Sequence, residues 1–358
     1  MRLALLLLFV SFQLLAAPAG PPDVSWPDGS KYWGNLRFGT PHGRGYLSGP
    51  DGRWYEGDFV DGKFHGQGFM HLPNGDEFRG AFVNGVPQGK LDSRVERERA
   101  LLNVETAIYR QRPLLDAALA AIEPSQKGRI NLYLLAVGGD GSQEVFRREV
   151  EFVRNQFDRD FGTRGRSVSL VNSRTSVETL PMATVTNIHE AIRTIAARMD
   201  RDNDILFLFM TSHGAKDHEF RLNQNAMSLR GLRPKELAGM LEESRIRWKV
   251  VLVSACYSGG FVEPLKSETT MVITAARADR TSFGCADEND FTYFGRAFFK
   301  EALPASGSFS DAFTRAQTLV SEWEKKDKTP ENERSLPQIH SPALLSEQLK
   351  KWWAQQRR

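Results

Sequence analysis

The sequence predicts an α/β domain on a mainly parallel sheet flanked by helices, preceded by a small all-β array of hairpins. Three observations carry this. Strand-length apolar runs alternate with amphipathic helical segments from Ile130 onward, a glycine and aromatic repeat is phased along the first quarter, and a stretch of helical spacing separates the two. At 358 residues the chain exceeds the roughly 150 of a typical domain, so two domains with short appendages are expected. Charge adds one exclusion. Forty-seven basic against 44 acidic side chains leave +3 with the signs mixed, and runs such as RVERERA read as solvated faces, so no nucleic-acid partner is expected.

The first element is MRLALLLLFVSFQLLAAPAG, a basic residue before about a dozen apolar ones, followed by Ala17-Pro18-Ala19. Small residues at those positions suit a signal peptidase. Residues 1–19 are therefore expected to be a leader cleaved after Ala19, with export to a bacterial periplasm or medium. The apolar stretch falls short of the ~20 residues of a membrane span, which puts an uncleaved anchor second.

Next comes a repeat with a spacing of 23: Asp28-Gly29, Asp51-Gly52 and Asn74-Gly75, each followed by YWG, YEG or FRG, and then by PHGRG, FHGQG or VPQG. Asn-Gly and Asp-Gly suit tight hairpin turns, and WYEGDFV alternates aromatic or apolar with polar residues, so each unit reads as a β-hairpin. One hairpin cannot bury its aromatic face alone; stacked hairpins can. The pattern over 26–90 resembles the MORN repeat family, which implies an interaction or spacing module and leaves a protein or envelope partner open. His42, His65 and His71 read as structural, two of them being the repeat's own His-Gly position. Beyond it, residues 91–125 lose the glycines, gain helical spacing and end at Pro124, a helical connector.

In the larger domain, INLYLLAVGG, RSVSLVN, DILFLFMTSHG, KVVLVSACYSGG and TMVITAA read as strands, with EVFRREVEFVRNQF, NIHEAIRTIAARM and LRPKELAGMLEES as helices between them. Continuously apolar strands alternating with helices imply a parallel sheet covered on both faces, with ligands outside the carboxyl ends of its strands. Two strands end in reactive residues, His213 and Cys256. If the strands are neighbours, an imidazole stands beside a thiol, as thiol catalysis requires. Gly214, and Ser258-Gly259-Gly260 after the cysteine, leave main-chain amides uncrowded, as an oxyanion site needs. Ser258 lacks the G-x-S-x-G elbow of a serine hydrolase. His189 lies within a helix as a surface or packing residue. His218 could join His213 on a metal, but no ligand cluster accompanies them; neither a metal nor a cofactor is expected. The other cysteine, Cys285, reads as a small buried or half-buried residue, since a disulfide would consume Cys256.

TSHG and SACYSGG on successive strands of this pattern resemble the legumain family of cysteine peptidases, within the caspase-like superfamily. VGGDGSQEVFRREV, TAARADRTSFGC and TYFGRAFF are similar to its bacterial exported members. The resemblance implies a caspase-like domain over 130–358, His213 as general acid or base, Cys256 as nucleophile, and the amides of Gly214 and Cys256 as an oxyanion hole. Members that cut after asparagine carry an acidic residue two positions before the nucleophile. Ser254 stands there, and a hydroxyl lacks the carboxylate acceptor, so asparagine preference is not carried over. Arg147 as a pocket cation, and Asp279, Arg280 and Asp287 bordering the cleft, are further substrate-binding candidates, each with a surface role as the alternative.

The function expected is an exported cysteine endopeptidase that hydrolyses peptide or protein substrates through a thioester. A transamidase or transpeptidase on the same dyad, a non-catalytic repeat-mediated scaffold, and an enzyme latent until clipped stay open. The C-terminal LSEQLKKWWAQQRR is first a helix packed on the core; membrane contact through it is open but not indicated.

Overall fold

A computed structural model of the chain describes residues 18–89, 93–224 and 226–356. Most of the expected leader therefore lies outside the described residues. Among those described, no helix is long and apolar enough to cross a membrane. The chain forms two compact units, up to Arg99 and from Ala100.

The first unit is a seven-stranded antiparallel meander, β1 (Val24–Ser25), β2 (Lys31–Arg37), β3 (Thr40–Ser48), β4 (Trp54–Val60), β5 (Lys63–His71), β6 (Glu77–Val83) and β7 (Val86–Pro87), each strand pairing with the next. The dipeptides singled out in the sequence sit in the wider turns. The two-residue turns are Phe38-Gly39, Asp61-Gly62 and Asn84-Gly85, all left-handed at both positions, the geometry that matches strand twist. Register explains the repeat's glycines. Gly34, Gly45, Gly57, Gly68 and Gly80 pair in one continuous row across β2 to β6, and the buried rings of Tyr32, Tyr55 and Phe78 lie on that row. Tyr55 packs edge-on to Phe59 and Phe82, so the rings form the unit's core.

The second unit contains a six-stranded sheet of β8 (Leu132–Gly138), β9 (Ser167–Val171), β10 (Ile205–Thr211), β13 (Trp248–Ser254), β14 (Thr270–Thr274) and β15 (Gln338–His340), in the order β15-β14-β13-β10-β8-β9. A small hairpin of β11 (Asn223–Gln224) and β12 (Met227–Ser228) stands apart. Every pairing in the large sheet is parallel except β14 with β15. The mainly parallel sheet is as expected; the antiparallel edge strand is an addition. β8 and β10 are buried throughout because helices cover both faces. One face takes α1 (Arg94–Ala120) through Leu115 and Leu119, α3 (Val185–Arg198), α4 (Pro234–Glu243) and the single turn α5 (Val262–Leu265). The connector expected over 91–125 is thus α1, part of it built into this core. The other face takes α2 (Val145–Asp160), α6 (Tyr293–Gly295) running into a π-helical segment over 296–302, α7 (Phe309–Lys326) and α8 (Ala343–Gln356). In α8, Trp352 is fully buried and stacks on Phe309, so the C-terminal helix packs on the core.

A methyl group at residue 68 would lie 2.3 Å from the Tyr55 hydroxyl oxygen. Gly68→Ala is expected to cost the first unit about 1–3 kcal/mol by overpacking. Amide hydrogen exchange on the intact protein checks this: exchange in β4 and β5 should accelerate while β8 stays protected, and equal protection in β4 and β5 would show that the ring does not rest on the glycines.

Candidate active site

The site is placed by strand register. β10 and β13 are neighbours, paired in parallel with Thr211 opposite Ser254. His213 lies two residues past the first and Cys256 two past the second, so they leave the sheet at the same level and on the same face. The backbones converge there: a Cβ on Gly214 would sit 2.0 Å from the Cys256 carbonyl oxygen, an approach that only glycine permits. Among the described residues, the amides of Gly214 and Cys256 donate no hydrogen bond, leaving both as free donors side by side.

His213 is partly buried. The Phe146 ring packs edge-on against it, centroids 5.1 Å apart. Burial lowers its pKa, Asp140 works against that shift, and Arg221 adds to it. The imidazole is therefore neutral near neutral pH, the form that accepts a proton. Asp140 is held by Ser142 and Asn223 at one carboxylate oxygen.

The cysteine turn is strained and tied down from two sides. Tyr257 adopts a left-handed conformation at φ 57°, uncommon for a residue of its kind. Its amide donates to the Arg280 carbonyl at 2.7 Å, and its carbonyl faces His218 Nδ1 at 3.1 Å. A carbonyl can only accept, so Nδ1 of His218 carries the proton. His218 is thereby a support of this turn. Among the described residues no group of three or more His, Cys, Asp or Glu could hold a metal. The Cys256 sulfur accepts from the Ser282 amide at 3.3 Å. Both cysteines are free, and burial pushes the Cys285 thiol up to about 12, with Cys256 and then Glu149 adding to the shift.

Of the residues read from sequence, the structure brings Gly214 against the Cys256 backbone and sets His213 and Cys256 each two residues past paired strand ends. Ser254 is buried directly behind them, its hydroxyl 3.1 Å from that of Thr292. Arg147 is held on α2 between Glu144 and Glu151. Asp279 is exposed and pairs with Arg277. Asp287 takes both oxygens to Arg174, which holds its carboxyl below the usual range, and accepts from the Glu144 amide. Two residues escaped sequence reasoning. Ser282 acts through its backbone amide, which leaves no trace in a sequence. Glu149 had a signal: it is the only acid on the buried stripe Phe146, Val150, Val153 and Phe157 of α2.

Glu149 is fully buried and accepts from the Thr211 hydroxyl at 2.5 Å, the Thr292 hydroxyl at 2.8 Å and the Thr292 amide at 3.1 Å. Burial pushes its carboxyl up to about 7 against the three hydrogen bonds, which act to lower it.

The Peptidase C13 family model matches residues 132–341, and the MORN repeat matches residues 32–52 and 55–77. Among solved structures, caspase-1 from Spodoptera frugiperda aligns with a TM-score of 0.43 at 13% identity, over 61% of this chain and 88% of that one. No curated protein matches the sequence.

A folded-state pKa of about 7 for Glu149 lies above its unfolded value. The stability linked to it is thus fully present below pH ~4.5 and is lost as pH rises through 7, by about 3 kcal/mol in total. Urea unfolding of wild type and Glu149→Gln between pH 5 and 8 should show wild type losing stability relative to the variant; parallel curves would mean that the carboxyl does not titrate in this window.

Proposed function

Because the chain belongs to the Peptidase C13 family, the legumain-like cysteine peptidases, we propose that it is an exported endopeptidase working through a Cys256–His213 dyad. The observation that carries this reading is the in-register pairing of β10 and β13, from which the two side chains emerge at equal distance. Neutral His213 takes the Cys256 thiol proton, and the thiolate so formed attacks the carbonyl carbon of the scissile peptide. The developing oxyanion is taken by the amides of Gly214 and Cys256, which donate no hydrogen bond elsewhere among the described residues. As the tetrahedral species collapses, the C–N bond breaks and protonated His213 gives its proton to the leaving amine. Water, deprotonated by His213, then hydrolyses the thioester and restores the thiol.

The substrates are peptides or proteins, as the family implies, with the first unit a MORN-type module for a partner. The layout of residues 1–19 supports export. Arg174, Asp287 and Glu144 form a charged cluster joined by chain continuity to Ser282, and the Asp287 contribution to substrate binding would act within it.

Incubation of wild type, Cys256→Ala and His213→Ala with a peptide library, read by mass spectrometry, tests the dyad. Cys256→Ala is expected to lower kcat/KM by at least ~1,000-fold and His213→Ala by about 100- to 10,000-fold. Gly214→Ala should also inactivate, since its methyl would collide with the Cys256 carbonyl. Cuts that persist in Cys256→Ala would sink the proposal. Products joined to an added amine, in place of free carboxylates, would redirect it to a transamidase.

A further inference from the structure

Glu149 is costly where it stands. It occupies a fully buried position in the middle of an apolar helical stripe, and among the described residues its hydrogen-bond partners are Thr211 and Thr292, with no cation paired to it. A carboxyl buried without a cation lowers stability relative to a packed apolar residue. Its surroundings are shaped to accept it nonetheless. A Cβ on Gly295 would fall 1.7 Å from Glu149 Oε1, so the carboxyl has room only because residue 295 is glycine.

What the carboxyl reaches matters more than its cost. Thr211 is the last residue of β10, two before His213. Thr292 passes the link to the hydroxyl of Ser254, the last residue of β13 and two before Cys256. Thr292 also closes the loop that carries Ser282, whose amide touches the Cys256 sulfur. One helical turn before Glu149, Phe146 packs on the His213 ring. Two strand ends and one loop that supply atoms to the site are thus joined at a single side chain.

We propose that Glu149 is a positioning residue for the catalytic pair, holding the ends of β10 and β13 at the level that sets His213 against Cys256, through Thr211 on one side and Thr292–Ser254 on the other. The inference rests on the dyad reading above. Its chemistry is specific about which replacement serves. Oε1 must accept from both the amide and the hydroxyl of Thr292. Oε2 meets only the Thr211 hydroxyl, which can donate or accept. Glutamine satisfies this with its oxygen toward Thr292 and its NH2 toward Thr211. Leucine fills similar volume but strands all three groups.

The test compares wild type, Glu149→Gln, Glu149→Leu and Thr292→Val as full chains, by peptide-cleavage kinetics and by the rate at which iodoacetamide alkylates Cys256, the site being identified by peptide mass spectrometry. Folded fractions are taken from circular-dichroism melts. Glu149→Gln is expected to stay within about threefold of wild type in both readouts. Glu149→Leu should lose tenfold or more in kcat with KM changed less than about twofold, and its alkylation rate should shift with kcat while the protein remains folded at the assay temperature. Wild-type kcat and alkylation in folded Glu149→Leu, or losses that only follow the unfolded fraction, would overturn the proposal. If Glu149→Leu does not fold, Thr292→Val decides, since it keeps the amide bond to Glu149 and removes the hydroxyl that joins Glu149 to Ser254, together with its bond from the Gly295 amide: a severalfold fall in kcat and a shifted alkylation rate support positioning, and unchanged values refute it. Failure of the peptidase reading would show differently, as a wild type that cuts nothing. The alkylation comparison still decides the role of Glu149 in that case.

Discussion

The register between β10 and β13 is the constraint on which the candidate site depends. Both strands are apolar on both faces, so alternation of apolar and polar residues cannot set their pairing as it does in a half-exposed sheet. Shape and polarity set it. Phe207 and Phe209 point to the face of α2 and α7, where Phe157, Phe299 and Phe309 meet them, while Leu206, Leu208 and Met210 fill the opposite face. A slip of one residue would exchange these sets. It would also bring Met210 to the buried Glu149 in place of Thr211, and would shift His213 by ~3.3 Å along the strand. The apolar packing and the buried Glu149 carboxyl therefore select the same register, the one in which His213 and Cys256 each follow a paired strand end by two residues.

At the carboxyl end of the sheet, the apolar core gives way to a closed polar layer. Thr292 uses its full bonding capacity, donating its hydroxyl proton to Glu149 and accepting from the Gly295 amide and the Ser254 hydroxyl. Interior hydroxyls without partners would cost roughly 1–3 kcal/mol each, so the layer is self-consistent only as a set. This changes the meaning of Ser254. Two residues before the cysteine, it reads from sequence as a wall of the specificity pocket, yet its hydroxyl is committed behind the site. Of the charged groups beyond it, Arg174 pairs with both Asp287 and Glu144, and Glu144 also takes Arg147.

What the sequence makes legible follows from how local each feature is. The five parallel strands are apolar runs bounded by Gly, Asn or charged residues, and each occurs where its run does. His213 and Cys256 stand out because reactive side chains end two such runs. β15 is invisible by the same logic: QIH is three residues of no marked pattern, paired only because β14 offers an open edge. The turn at Phe38-Gly39 lacks the Asn or Asp that marks its counterparts at 61 and 84, and is left-handed because its strands pair. Glu149 is hidden by its neighbours. Within FRREVEF a glutamate reads as one more solvated charge until the 3.6-residue period is drawn from Phe146 through Val153 to Phe157. Ser282 could not be found at all, since tertiary approach alone brings its amide to the sulfur.

A missing Cβ serves both units, to different ends. In the repeats, glycines let aromatic rings rest on the backbone, and the gain is cohesion. Around the cysteine, Gly214, Gly260 and Gly295 admit the Cys256 carbonyl, the His218 ring and the Glu149 carboxyl at distances no side chain would allow, and the gain is placement. The left-handed Tyr257 adds strain of order 1–3 kcal/mol, offset by its bonds to Arg280 and His218. Those partners lie on the loops that follow β14 and β10, not on the sheet. The sheet sets where Cys256 emerges, while the loop after β14 meets the sulfur directly through the Ser282 amide and the loop after β10 meets the turn at the Tyr257 carbonyl, so a movement of either loop is passed to the cysteine turn.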